Sequence, residues 1–165
     1  MKILGTGSAL PQKVVTNDDL AGFLDTSDEW ISTRTGIRER RVLSVETLQS
    51  LAEAAGRAAL ENAGVAPEDI DCVLVSTVQA ETMSPALACD IQPALGLKCM
   101  GMDINGGCTG FIAALAVAEG LIASGRAHKL LVISAEALSR FADWNDRSTC
   151  VLFGDGAGAF VVEPR

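Results

Sequence analysis

Apolar runs alternate with short polar or glycine-rich breaks along the whole chain, and the breaks mark out the elements. Lys2–Ala9 reads as a strand, closed by Leu10-Pro11. Residues 71–78 contain Cys-Val-Leu-Val, apolar without alternation, which predicts a strand buried on both faces. Residues 100–104, 129–135 and 157–162 complete the strand set, the last after a tight Gly154-Asp155-Gly156 turn. Helical signals fall between the strands. Thr16 or Asn17 caps one start and Ser27 another, the latter helix stopping at Gly36. Residues 46–62 form an alanine-rich amphipathic helix that ends at Gly64. Residues 84–95 read as a further helix, with Pro85 at its first position. Residues 109–124 carry a single charge, Glu119, so this helix has no wide polar side and is expected to be buried all round. Helices alternating with buried strands predict an α/β fold with a mostly parallel sheet. No repeat, low-complexity tract or linker interrupts residues 1–165, which read as one domain.

Composition narrows the partners. The chain has 165 residues, 48% of them hydrophobic, enough for a real core. Its charge is 13 − 21 = −8, which argues against nucleic acid and anionic membranes as general partners. Arg34, Arg38, Arg40 and Arg41 are a local exception, readable as a solvated loop or as a phosphate site. Cys72, Cys89, Cys99, Cys108 and Cys150 show no metal-ligand spacing, and one histidine adds little to a metal set. Their odd count and scatter suit reduced thiols in a cytoplasmic protein. The chain opens directly on its first strand with no leader pattern, and residues 109–123 are shorter than the ~20 a bilayer span requires.

Cys108 is the strongest chemical candidate. It heads the apolar helix, facing unsatisfied N–H groups and the positive end of the helix dipole, a setting that suits a nucleophilic cysteine. A plain core cysteine is the competing reading. Gly106-Gly107 tilts the balance, because two glycines open the backbone to close approach where a structural start more often uses a side-chain cap. Other motifs fail. Gly5-Thr-Gly7 lacks a third glycine and meets Pro11 where a helix should begin, so no dinucleotide fingerprint is present. Gly154 to Gly158 precedes a strand, the wrong order for a phosphate loop. His128 lies beyond the far end of the Cys108 helix, too distant for a dyad.

The segment Asp25-Thr-Ser-Asp-Glu-Trp-Ile-Ser-Thr-Arg-Thr-Gly-Ile-Arg-Glu-Arg40 closely resembles a signature of β-ketoacyl-acyl-carrier-protein synthase III. Gly5-Thr-Gly-Ser-Ala-Leu-Pro11, the stretch from Asp103 to Phe111, and Phe153-Gly-Asp-Gly-Ala-Gly158 resemble the same family. The likeness covers the whole chain, but only the N-terminal half of a family member. It implies half of a thiolase-like fold, a mixed sheet packed on a buried central helix. The implied activity is condensation of acyl-CoA with malonyl-acyl carrier protein to begin fatty-acid synthesis, with the CoA thioester as substrate and no cofactor or metal. Cys108 matches the acyl-accepting nucleophile. Trp30 matches the aromatic that stacks on the CoA adenine, with Arg147 on the adenine's other face, and Thr26 and Arg34 match further CoA contacts. Leu152 and Phe153 match positions near the acyl pocket. Ser84 stands where some relatives place a bulky aromatic that limits acyl length across the dimer. Gly106-Gly107 replace the alanine or serine more usual there. The family's catalytic His, Asn and oxyanion loop belong to the other half. The resemblance therefore leaves open a homodimeric condensing enzyme, a CoA-binding half that pairs with a separate C-terminal half, and a related thioester-condensing enzyme of secondary metabolism.

Overall fold

A computed structural model describes residues 1–165. In chain order the elements are β1 (Lys2–Ala9), β2 (Lys13–Thr16), α1 (Asn17–Ala21), α2 (Asp28–Thr35), β3 (Glu39–Val42) and α3 (Leu48–Ala63). There follow β4 (Cys72–Ser76), α4 (Leu87–Asp90), α5 (Gln92–Leu95), β5 (Met100–Ile104), α6 (Gly110–Ala123), β6 (Leu130–Ala137) and β7 (Asp155–Glu163). The main sheet runs β1-β7-β6-β4-β5. β4 pairs in parallel with β5 and β6, whereas β7 is antiparallel to both β6 and β1. The sheet is thus mixed, with a larger antiparallel share than the helix–strand alternation alone indicates.

Period-two alternation splits the central strands between two faces. Val73, Val75, Leu131 and Ile133 join α3 in a core of 21 buried residues. Cys72, Leu74, Leu130 and Val132 face the other way, into a smaller cluster of 8 with Ala114 and Ala118 of α6. The larger core therefore lies under α3. The cap signals place the helices as the sequence predicts. Thr16 caps α1, Ser27 caps α2 by accepting the Trp30 N–H, and Gly36 and Gly64 close α2 and α3 in the left-handed region.

Four expectations need correction. The span 84–95 is two short helices, α4 beginning only at Leu87, because the Asp103 carboxylate reaches over from β5 to accept the Leu87 and Ala88 N–H groups at 2.7 and 2.8 Å. Pro93 then supplies no donor to continue the ladder into α5. Gly154 to Gly156 is no turn. Asp155 already belongs to β7, and its buried carboxylate accepts the Leu43 and Ser139 N–H groups at 2.7 and 2.9 Å. The Arg34–Arg41 stretch is not one loop: Arg34 lies in α2, Arg38 in the exposed link after it, and Arg40 and Arg41 in β3, which pairs antiparallel with β2 across the two intervening helices and aligns Val15 with Arg40. Finally, α6 buries only Gly110, Ala114 and Ala118, while Ile112 is 66% exposed. Within residues 1–165 only its sheet-facing side is covered, so these residues alone do not bury the helix all round.

Candidate active site

Parallel strands bring their carboxyl ends to one edge, and in such sheets ligands bind there. Here the edge gathers Thr77-Val78 after β4, Asn105 to Thr109 after β5, and Glu136 near the end of β6. Cys108 stands in a 3-10 turn, Gly107–Thr109, just ahead of α6 and not in its first α-helical turn. Gly107 causes the offset. Its φ of +57° leaves the helical region, and nothing lies within 4 Å of the position its Cβ would take. That position asks for glycine's backbone freedom, not for space. Thr109 closes the turn through its Oγ1, which donates to the Gly106 carbonyl at 2.9 Å.

The turn presents Cys108 to solvent. Of the other free thiols, Cys72 and Cys150 are buried and Cys99 is half-buried. Burial pushes Cys72 up to about 11, with the neighbouring Cys99 and Asp71 adding to it, and also raises Cys99 and Cys150. Cys89 is exposed like Cys108. His128 lies at the opposite edge, where β6 begins, and its backbone N–H donates to Asp71 at 2.7 Å. The 14 residues of α6, about 21 Å at ~1.5 Å per residue, separate it from Cys108.

A second cluster forms around α2. Ile31 is buried with Leu20, Cys150 and Val151, and Trp30 packs at the margin of that group. The Arg34 guanidinium, one turn on, lies 4.5 Å from the Trp30 ring centroid while its Nη1 donates to the Trp30 carbonyl. The Arg147 guanidinium, from the loop before β7, lies 4.9 Å from the same ring. Arg147 also donates to the Asp25 carbonyl and pairs with the Asp25 carboxylate at 3.5 Å. Thr26 Oγ1 is buried there without a hydrogen-bond partner. So Thr26, Trp30, Arg34 and Arg147 come together. The resemblance implies a base between Trp30 and Arg147, yet two stacked contacts need about 7–8 Å. Arg147 must draw back before a base can fit between them.

The remaining candidates scatter. Arg40 is neither solvated nor a phosphate ligand. It is buried in the two-stranded sheet, donating to the Val15 and Val151 carbonyls and to Asn17 Oδ1 at 3.1, 3.1 and 2.8 Å. Arg41 donates to the Pro11 carbonyl, and Arg38 pairs with Asp28 at the surface. Phe153 lines a cavity of about 310 Å³ with Leu138, Phe141 and Thr149, which neither Leu152 nor Ser84 joins. Leu152 is 49% exposed and Ser84 sits in the exposed loop before α4. Sequence reasoning missed Glu136. Its signal was a lone carboxylate near the end of a strand whose only other polar residue is Ser134.

Residues 102–165, which hold Cys108 and β7, match the family model for 3-oxoacyl-[acyl-carrier-protein] synthase III. A β-ketoacyl-[acyl-carrier-protein] synthase III of Methylococcus capsulatus is 49% identical over 98% of this chain and 51% of its own length. The crystal structure of 3-oxoacyl-[acyl-carrier-protein] synthase III from Aquifex aeolicus superposes with a TM-score of 0.97 at 50% identity, over 99% of this chain and 54% of that one. The priming β-ketosynthase of the R1128 polyketide pathway gives 0.96 at 43% identity, over 99% and 50% respectively. The chain spans about half the length of the curated relatives it matches. With its cysteine turn, its mixed sheet and its near-complete coverage by these relatives, the chain matches the N-terminal half of β-ketoacyl-[acyl-carrier-protein] synthase III proteins and has half of their thiolase-like fold.

Proposed function

We propose that residues 1–165 are the N-terminal, acyl-accepting domain of a β-ketoacyl-acyl-carrier-protein synthase III, working in the cytoplasm on acyl-CoA and malonyl-acyl carrier protein. The observation that carries this reading is Cys108, an exposed thiol on a glycine turn at the carboxyl edge of the parallel strands, in a chain whose relatives bear that name. In the first half-reaction the Cys108 sulfur attacks the thioester carbonyl. A new S–acyl bond forms, the CoA C–S bond breaks, and CoA leaves with the thiol's proton. Loss of CO2 from malonyl-carrier protein then yields a carbanion that attacks the acyl carbon and frees Cys108. Thr26, Trp30, Arg34 and Arg147 hold the CoA nucleotide. Phe153 borders the acyl pocket, and the exposed Leu152 and Ser84 join it only where the C-terminal half or a second copy completes the site. The groups that drive decarboxylation come from a C-terminal half, and the complete enzyme is a homodimer.

The remoteness of His128 favours a chain that is catalytically incomplete alone. Incubation with acyl-CoA, followed by malonyl-carrier protein and intact mass analysis, tests this. A Cys108 adduct without β-ketoacyl product is expected. Sustained turnover would place the decarboxylating base within these residues, and no adduct would remove Cys108 as nucleophile. Trp30→Ala should weaken CoA binding by roughly 2- to 30-fold, the equivalent of ~0.5–2 kcal/mol for a cation–π platform. An unchanged dissociation constant removes Trp30 from the nucleotide site.

A further inference from the structure

A line of hydrogen bonds crosses the carboxyl edge from β6 to the cysteine turn. Both Glu136 carboxylate oxygens accept the Val78 backbone N–H, at 3.0 and 3.2 Å. The Val78 carbonyl accepts Asn105 Nδ2–H at 3.0 Å. Asn105 Oδ1 accepts the N–H of Gly107, the residue before Cys108, at 3.4 Å. The bonds from Thr109 close the turn on itself, both going to the Gly106 carbonyl. Asn105 therefore ties the turn to the end of β4, and Glu136 ties that end to β6.

We propose that Asn105 and Glu136 are positioning residues for Cys108, keeping its turn in register with the ends of β4 and β6 so that the sulfur meets the thioester carbonyl in line. This rests on the reading of Cys108 as acyl acceptor. Each residue type fits the task. Asn105 uses its donor and its acceptor in opposite directions, which neither aspartate nor leucine reproduces. Glu136 is half-buried, and burial raises its pKa against the pull of the Val78 N–H. The Thr77 hydroxyl beside it adds a weaker downward pull without a hydrogen bond of normal geometry. A carboxylate kept at such a desolvation cost holds a group that an apolar side chain could not hold. Reaction rates respond steeply to this kind of placement, since ~1 Å of misplacement costs as much as ~10²-fold.

The test separates orientation from accessibility. Single-turnover transfer from acetyl-CoA to Cys108 is followed by intact mass, and iodoacetamide labelling of Cys108 is followed relative to Cys89 in the same molecules. Asn105→Ala and Glu136→Ala should slow acyl transfer by roughly 10- to 100-fold. Labelling of Cys108 relative to Cys89 should stay within about twofold, because a small reagent needs no particular approach. Glu136→Gln, which keeps an acceptor for Val78, should restore most of the transfer rate. Unchanged transfer in both alanine variants overturns the proposal, as does a parallel fall in labelling, which would mean a disordered or covered turn. A parent chain that takes no acetyl group overturns the acyl-acceptor reading itself, and the positioning role with it. Should the alanine variants lose their fold, Asn105→Asp and Glu136→Gln decide: the first should be slowed severalfold and the second little, and the reverse order overturns the assignment.

Discussion

The two long helices lie on opposite faces of one sheet and behave differently. α3 buries Leu48, Leu51, Ala52, Ala55, Gly56, Ala59 and Leu60 and turns its polar residues outward. α6 is more apolar, yet it buries three small residues and leaves Ile112 and Val117 exposed. Hydrophobicity alone therefore ranks the helices in the wrong order for burial within this chain. What matters is whether the apolar positions form one stripe that a single sheet face can cover. The stripe of α3 does. The apolar surface of α6 runs around the whole cylinder, and one sheet face covers only one side of it.

Substitutions at paired positions sharpen this contrast, and the largest effect is expected from side-chain truncation. Leu51→Ala, in the α3 core, should lower unfolding free energy by ~2–5 kcal/mol, whereas Ile112→Ala on α6 should cost less than ~1 kcal/mol. Denaturant unfolding of both variants measures this. Comparable losses would mean that the outer side of α6 is covered in solution.

Glycine substitutions come next. β1 runs so close to α3 that a Cβ on Gly7 would strike the Ala55 carbonyl and the Ala59 nitrogen, whereas nothing lies within 4 Å of one on Gly120 of α6. Gly7→Ala should destabilise by ~1–3 kcal/mol through overpacking. Gly120→Ala should stabilise by ~0.5–1 kcal/mol through helix propensity. Thermal unfolding shifts of opposite sign are expected, and a stabilising Gly7→Ala would deny the close approach.

The smallest effect is electrostatic. Glu46, ahead of α3, accepts the N–H groups of Gln12, Ser44 and Val45, and the backbone N–H groups of Gln12, Glu46 itself and Ser44 hold its pKa down to about 2. Its folded value lies below the unfolded one, near 4.5, so the stabilisation is complete above about pH 4.5 and is lost as pH falls towards 2. Glu46→Gln should flatten the acid limb of the stability profile in that window. Glu136, held high by burial, contributes with the opposite sign as pH rises past the unfolded value. An unchanged acid limb in Glu46→Gln would show that the carboxylate's hydrogen bonds do not survive in solution. α6 has no acidic residue in its first turn, so no matching effect is expected on its side.

Much of this protein is written locally. The caps at Thr16 and Ser27, the stop at Gly64 and the fully buried run Cys72–Ser76 are each settled by a few neighbouring residues, so their elements are legible in sequence. Cys108 stood out for the same reason, on its glycines and the apolar run behind it, and Trp30 and Arg147 through resemblance. The tertiary structure decided the rest. Arg40 finds acceptors 23 to 111 residues away. Asp103 caps a helix 15 and 16 residues before it, and Asp155 reaches back 112 residues to Leu43. No periodicity announces such pairings, because one polar side chain meets one remote backbone group. The line from Glu136 to Gly107 belongs with them, since it exists only where parallel strands set three chain segments side by side.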